Sequence, residues 1–384
     1  MSRPATRHRQ GAKAPSTILI LPVVLLALLA SWRFTRAPAV GAEEFRLALP
    51  GYTFSFPRDH ASHDDFRTEW WYYTGHLRTA SGEAYGYQVT FFRSGLAEAR
   101  GRTSQWAARN IYLAHFALSD LGRRRFRFFE RVGRAGMGQA GASQSAFRVW
   151  VGDWEASGDG PRQRLKAREG DVGVDLALRA VKPPVVHGEN GVSRKGEGRG
   201  HASHYYSLTR LATEGGLTLR GTPLAVTGLT WMDHEFGSTQ LSPDQVGWDW
   251  FSLQFDNDTE LMLYVIRQAD GRPDPSSAGT RVGADGVSVH IRQPEFSVET
   301  LERWTSPTSK GTYPMRWRIR VPTLDLDVTL TPAFPDQELT TARSTKVIYW
   351  EGAVAAAGGA QGRPVRAQGY VEMTGYAEPF RKML

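Results

Sequence analysis

The sequence predicts an all-β chain of antiparallel meanders closed into a barrel or a sandwich. Apolar residues recur at every second position in one segment after another, the period of a half-buried strand. No window sustains an i, i+3, i+4, i+7 apolar stripe over several turns, so amphipathic helices are not expected. Short turn signals at Ala80-Ser-Gly82, Asp256-Asn-Asp258 and Asp285-Gly286 separate the runs.

In chain order, residues 1–42 come first. Arg3, Arg7, Arg9 and Lys13 precede the apolar run Thr17 to Ala30, and Val40-Gly41-Ala42 offers small residues for cleavage. This is the order of an export signal. The run is shorter than the roughly 20 residues that span a bilayer and is interrupted by Pro22. A cleaved signal peptide is therefore expected, with an uncleaved membrane anchor extended by Trp32 and Phe34 as the alternative. Either way the body is expected outside the cytoplasm, periplasmic or secreted.

From Glu43 onward the strands follow. Tyr85, Tyr87, Val89 and Phe91 share one face, as do Ile111, Leu113, His115 and Ala117. Val172, Val174, Leu176 and Leu178 alternate with Asp171, Gly173, Asp175 and Ala177. Later runs are Val287, Val289 and Ile291, then Trp317, Ile319 and Val321, then Leu324, Leu326, Val328 and Leu330. Two stretches break the rhythm. Arg194 to Gly200 reads as a glycine-rich loop over an opening, without the strand-to-helix context of a phosphate loop. Ala353 to Gly362 reads as a flexible turn.

A faint repeat divides the body. Glu69-Trp-Trp-Tyr-Tyr73 and Gly247-Trp-Asp-Trp-Phe251 each lead into a hairpin that ends in arginine, at Arg93 and Arg267. Two related β-domains are expected, 43–218 and 219–384.

Chemistry concentrates at Trp231-Met-Asp-His-Glu-Phe-Gly237 and Gly247-Trp-Asp-Trp-Phe251. An apolar aromatic wall beside acids raises a carboxyl pKa by desolvation, as a proton donor near neutral pH requires. The bland alternative is that Asp233 and His234 close a turn while the tryptophans fill a core. Asp233, His234 and Asp249 are the candidate catalytic residues. Trp70, Trp71, Tyr72, Trp231, Phe236, Trp248 and Trp250 are the candidate ligand-binding wall. Glu69 and Glu351, each beside aromatic rings, are expected to stabilise the domain junction.

Several function classes drop out. The net charge of +8 owes most to six basic residues among the first 42, and the body is close to neutral, so no nucleic-acid partner is expected. With no cysteine there are no disulfides, thiolate zinc sites or cysteine nucleophile. The pairs His60/His63 and His201/His204 have a spacing that could ligate zinc, but without a third histidine at helical spacing they read as turn-capping or solvated. No Gly-x-Ser-x-Gly elbow occurs. No metal and no cofactor are expected.

The motifs carry a resemblance. Phe56-Pro-Arg-Asp-His60, Glu69-Trp-Trp-Tyr-Tyr-Thr-Gly-His76, Gly86-Tyr-Gln-Val-Thr-Phe-Phe-Arg93, Trp231 to Gly237, Gly247-Trp-Asp-Trp250, Tyr349-Trp-Glu-Gly352 and Gly369 to Tyr376 stand in one order. In that order they resemble the AttH-like secreted proteins, a superfamily that includes carotenoid 1,2-hydratases and lipocalin-like pericyclases. The resemblance implies two lipocalin-like antiparallel β-barrel domains packed together, with a pocket at or near their interface for a small apolar ligand. It also implies hydration of a carbon–carbon double bond, with Asp233 as the proton donor, Trp231, Trp248 and Trp250 facing the cation, and His234 or Asp249 orienting water. Glu235 stands where the hydratases have an asparagine-type residue. Two other readings stay open: a non-catalytic carrier of apolar ligands, and a hydrolase using Glu235 or Asp249 as base.

Overall fold

Period-two alternation becomes two antiparallel sheets. The structure is a computed structural model that describes residues 44–99, 107–238 and 241–380. The expected export segment lies outside the described residues. Among those described, no helix is long and apolar enough to cross a membrane, and the helical segments are 3-10 turns of three residues.

The first sheet begins with a meander of β1 (Thr68–Thr79), β2 (Ala84–Gly95), β3 (Asn110–Asp120) and β4 (Arg125–Arg134). A second run contains β5 (Ala140–Ala142), β6 (Phe147–Val151), β7 (Trp154–Gly158), β8 (Arg162–Glu169) and β9 (Val172–Ala180). The short β10 (Val185–Val186) and β11 (Ser193–Arg194) lie on β12 (Ala202–Leu219), which turns into β13 (Thr222–Gly237). The order is β4-β3-β2-β1-β13-β12-β9-β8-β7-β6-β5, so the first and last long strands are neighbours. With β4 packed on β5 and β6, the sheet curls into a near-barrel.

The second sheet repeats the scheme. It contains β14 (Gln245–Phe255), β15 (Glu260–Gln268), β16 (Ala278–Val282), β17 (Ser288–Arg292), β18 (Ser297–Thr305), β19 (Thr312–Val321) and β20 (Leu326–Pro332). It ends with β21 (Glu338–Thr340), β22 (Ile348–Ala360) and β23 (Arg363–Thr374). Its path is β17-β16-β15-β14-β23-β22-β20-β19-β18, again first strand beside last, in a half-barrel. The hairpins β1–β2 and β14–β15 hold corresponding positions, which is the physical content of the paired-tryptophan repeat.

Alternation decides which side chains go where. Trp71, Tyr73, Tyr87, Phe91, Phe116 and Trp154 fill the first core, and Phe251, Trp317, Ile319, Leu330 and Trp350 the second. The opposite faces meet in a third cluster, with Tyr72, Tyr205, Trp231, Trp250, Tyr264 and Tyr370. Polar ties cross the junction as well. Glu260, fully buried, accepts from Arg210 Nε at 2.5 Å and from Lys182 Nζ at 2.8 Å. Gln254 donates to the carbonyls of Thr209 and Thr230, and Ser119 to Gln337. Gly86 makes room for the second sheet, since a Cβ there would lie 2.4 Å from the Tyr370 hydroxyl.

Three expectations change. Residue 219 falls inside the β12–β13 hairpin, and the chain passes between sheets from Gly237 to Gln245, because β13 is hydrogen-bonded to both β1 and β12. Ala353 to Ala360 is strand, not turn, because β22 is held on both sides by β20 and β23, and small residues suit that crowded place. Val287 and Val289 are exposed while Ile291 is buried, since β17 is an edge strand.

Candidate functional site

The motif Trp231 to Gly237 is the end of β13, where successive side chains point to opposite faces. Asp233 and Glu235 therefore face the junction, and His234 and Phe236 face the first core. The same rule sorts Thr68, Trp70 and Tyr72 on β1 from Glu69 and Trp71, and Trp248 and Trp250 on β14 from Asp249.

The junction side encloses a cavity of about 120 Å³. Trp70, Tyr72, Phe92, Tyr205, Trp248, Trp250, Tyr264 and Ile266 form its apolar wall, and Asp233, Glu235, Lys195 and Glu372 its polar groups. Asp233 is 3% exposed. One oxygen accepts from the Trp231 indole at 2.6 Å and from the Ser207 hydroxyl, the other from the Tyr205 hydroxyl at 2.8 Å. Trp250 Nε1 donates in turn to that tyrosine at 3.1 Å. Burial outweighs these donors and, with the charge of Glu235, pushes the Asp233 carboxyl up to about 7. Among the described residues no backbone amide is a partner of its carboxyl, so the turn-closing reading does not describe it.

A second acid group stands opposite. Glu372 on β23 accepts from Trp248 Nε1 at 2.6 Å, and burial pushes it up to about 7. Its cross-strand partner is Glu351 on β22, which accepts from the Tyr72 hydroxyl at 2.7 Å. Burial and the neighbouring Glu372 drive Glu351 well above the carboxylate range, so this pair keeps a proton. Glu351 thus does tie the sheets together, as expected of it, through Tyr72. The cavity's cation is Lys195, from the glycine-rich loop. Its ammonium lies 3.1 Å from Glu235 and over the rings of Tyr205 and Tyr264, at 5.1 and 4.3 Å. Burial works against that charge, but Glu235 and Tyr264 leave its pKa raised.

The far side of β13 is different. Glu69 receives His234 Nε2 and His63 Nδ1, both at 2.8 Å, and Arg93 Nε at 2.9 Å. His63 Nε2 reaches Asp59 at 3.1 Å. Burial opposes the Glu69 charge, but Arg93 and the two imidazoles hold its carboxyl well below the usual range. His63, Glu69 and His234 bring three donor atoms together in the manner of a metal site. His63 bonds a carboxylate through each nitrogen, which fits an imidazolium, and with Arg93 on Glu69 the cluster balances its own charge. The donor set does not need an ion.

Several expectations are corrected here. His234 is in the first core, stacked on Trp71 at 4.8 Å, and Phe236 stacks on His63 at 3.6 Å. Neither these two nor Trp71 touches the cavity. Asp249 bonds Arg267 and the Tyr376 hydroxyl on the far face of β14, so it cannot orient water beside Asp233. Trp231 stands behind the wall and holds Asp233. Glu69 belongs to the first core, not to the junction. Trp70, Tyr72, Trp248 and Trp250 do line the cavity with Asp233. Sequence reasoning missed Tyr205, Ser207, Lys195 and Glu372. The signal for Lys195 was its loop, and for Glu372 its place two residues after Tyr370 in a motif already singled out.

Comparison with known proteins agrees with this architecture. A crystal structure of a protein assigned as AttH from Nitrosomonas europaea is 33% identical, superposes with a TM-score of 0.79, and is matched over 86% of this chain and 99% of its own. Kievitone hydratase from Nectria haematococca shares the fold at 18% identity, with a TM-score of 0.67 over 88% of this chain and 97% of its own. A curated relative, the dehydratase asqC of Emericella nidulans, is 22% identical over 270 residues, 67% of this chain and 75% of that one. The family model described as AttH-like matches residues 47–376. With that match over most of its length, the chain belongs to the AttH-like family.

Proposed function

We propose that the protein adds water to, or removes it from, a small apolar unsaturated ligand held in the junction cavity, with Asp233 as the proton donor. The observation that carries this is a carboxyl raised to about 7 on the wall of an aromatic cavity. A proton donor works best when its pKa is near the working pH. In the hydration direction the Asp233 proton goes to one alkene carbon, and the cation left on the neighbouring carbon faces the rings of Trp70, Trp248 and Trp250. Water then attacks that carbon and gives its proton to Glu235, two residues along the same face and paired with Lys195. Dehydration is the same path reversed. The relatives named as a dehydratase and a hydratase support this class of reaction. The N-terminal pattern supports action outside the cytoplasm.

The test begins with native mass spectrometry of protein from its source, to identify the bound ligand. Asp233→Asn keeps the shape and removes the acid, so turnover of that ligand should fall by ~10²–10⁴-fold while binding is retained. Unchanged turnover would refute the donor role. A carrier predicts ligand bound and never converted.

A further inference from the structure

A buried acid that gives up its proton at each turnover has to recover one, and the structure contains a second line of contacts to Asp233, leading away from the cavity. The Ser207 hydroxyl donates to Asp233. His187 Nε2 lies 2.6 Å from Ser207 Oγ, and His187 Nδ1 lies 2.8 Å from Thr280 Oγ1. All three residues are buried. Thr280 is the cross-strand partner of His290, so their side chains share one face of the β16–β17 hairpin. His290 is half-buried, and its buried Nδ1 makes no well-formed hydrogen bond, with only a loose interaction to the Gly279 carbonyl. Its Nε2 is 4.0 Å from Glu189, which is largely open to solvent.

We infer that Ser207, His187 and Thr280 form a proton relay through which Asp233 exchanges its proton with solvent that enters from the side of the half-buried His290. The inference rests on Asp233 being the proton donor and adds how it is recharged. Each transfer balances. Ser207 gives its hydroxyl proton to Asp233 and takes one from His187 Nε2. His187 takes one at Nδ1 from Thr280, and Thr280 takes one from solvent that enters beside His290. The imidazole enters and leaves as a neutral ring, changing only its tautomer. Burial, with Lys195 and His290 nearby, holds His187 well below its ordinary value, so it places no positive charge beside the acid. On its other sides the carboxyl meets Tyr205 and Trp231, and Glu235 and Lys195 face it from the cavity that Tyr205 also lines. These three are positioning residues, since none is required to touch substrate.

The experiment is a pH jump on the intact, ligand-free protein, following the Asp233 carboxyl band by time-resolved infrared spectroscopy, with Asp233→Asn to assign the band. Thr280→Val removes one hydroxyl at nearly constant shape, and His187→Gln keeps a polar side chain that has no tautomers to exchange. In both variants the protonation rate should fall ~10-fold or more, while the titration midpoint of the band and the thermal midpoint stay where they are. A rate equal to wild type in either folded variant overturns the relay and leaves the donor role untouched. A relay-dependent rate with full turnover in Asp233→Asn would overturn the donor role and leave the relay standing.

Discussion

Two buried acid clusters stand back to back on β13, separated by the thickness of one strand. On the core side, Glu69 is ionised against Arg93 and His63, and its carboxyl is held well below the usual range. On the junction side, Asp233 has hydrogen-bond donors but no cation in contact, and it is raised to about 7. Both are buried. Burial alone therefore does not set the protonation state. A contacting cation turns a desolvated acid into a fixed charge, and its absence leaves a reservoir of exchangeable protons.

The contrast can be broken most forcefully from the core side. Arg93→Met leaves Glu69 a buried carboxylate without its main counter-charge and should cost ~3–5 kcal/mol in denaturant unfolding. Lys195→Met at the junction should cost less, ~1–2 kcal/mol, because acids there can take up a proton instead. Equal losses would remove the distinction between the clusters.

pH sharpens the same comparison with opposite signs. Asp233 keeps its proton in the folded protein between about pH 4 and 7, where the unfolded chain has released it. Its contribution is full below the unfolded value and is lost as pH rises through the folded one. A shift from 3.8 to about 7 corresponds to on the order of 4 kcal/mol at ~1.4 per unit. Glu69 works the other way: its contribution is present above the ordinary carboxylate range and is lost as pH falls through its depressed folded value. Asp233→Asn should thus flatten the loss of stability between about pH 4 and 7 and leave acid unfolding unchanged. Thermal midpoints across that range check it.

The smallest effect on turnover is expected at Asp249. It is paired with Arg267 and Tyr376 away from the cavity, so Asp249→Asn should lower stability by ~1–2 kcal/mol and leave turnover within about twofold. A large fall in turnover without a fall in stability would return it to the site.

Much of this was legible in the sequence. The alternation in Val172 to Leu178 and Trp317 to Val321 named core faces, and the repeated tryptophan pairs named corresponding hairpins. Asp233 and four of the seven aromatic residues around the cavity were also singled out. What failed failed at adjacent positions: Asp233 with His234, Trp70 with Trp71, Trp248 with Asp249. A strand cannot send neighbours to one face, and these segments are strands in the structure, so half of each motif points elsewhere. The remainder was out of reach for a different reason. Tyr205 and Ser207 reach Asp233 through the register of the long β12–β13 hairpin, and Glu372 reaches the cavity through the docking of two sheets, neither of which local periodicity encodes.

The alternation of β13 also bears on how such a chain can vary. Its side chains read alternately into two unlike chambers, one built around the Glu69 ion cluster and one around the raised carboxyl of Asp233. Deleting a single residue between Thr230 and Asp233 would exchange every downstream occupant, driving His234 toward the cavity and acid groups into the ion pairs. Point changes here are graded in their effect, whereas a one-residue slip is all-or-none, so length changes can be absorbed in the hairpin at Arg220-Gly221 and not in the strand itself.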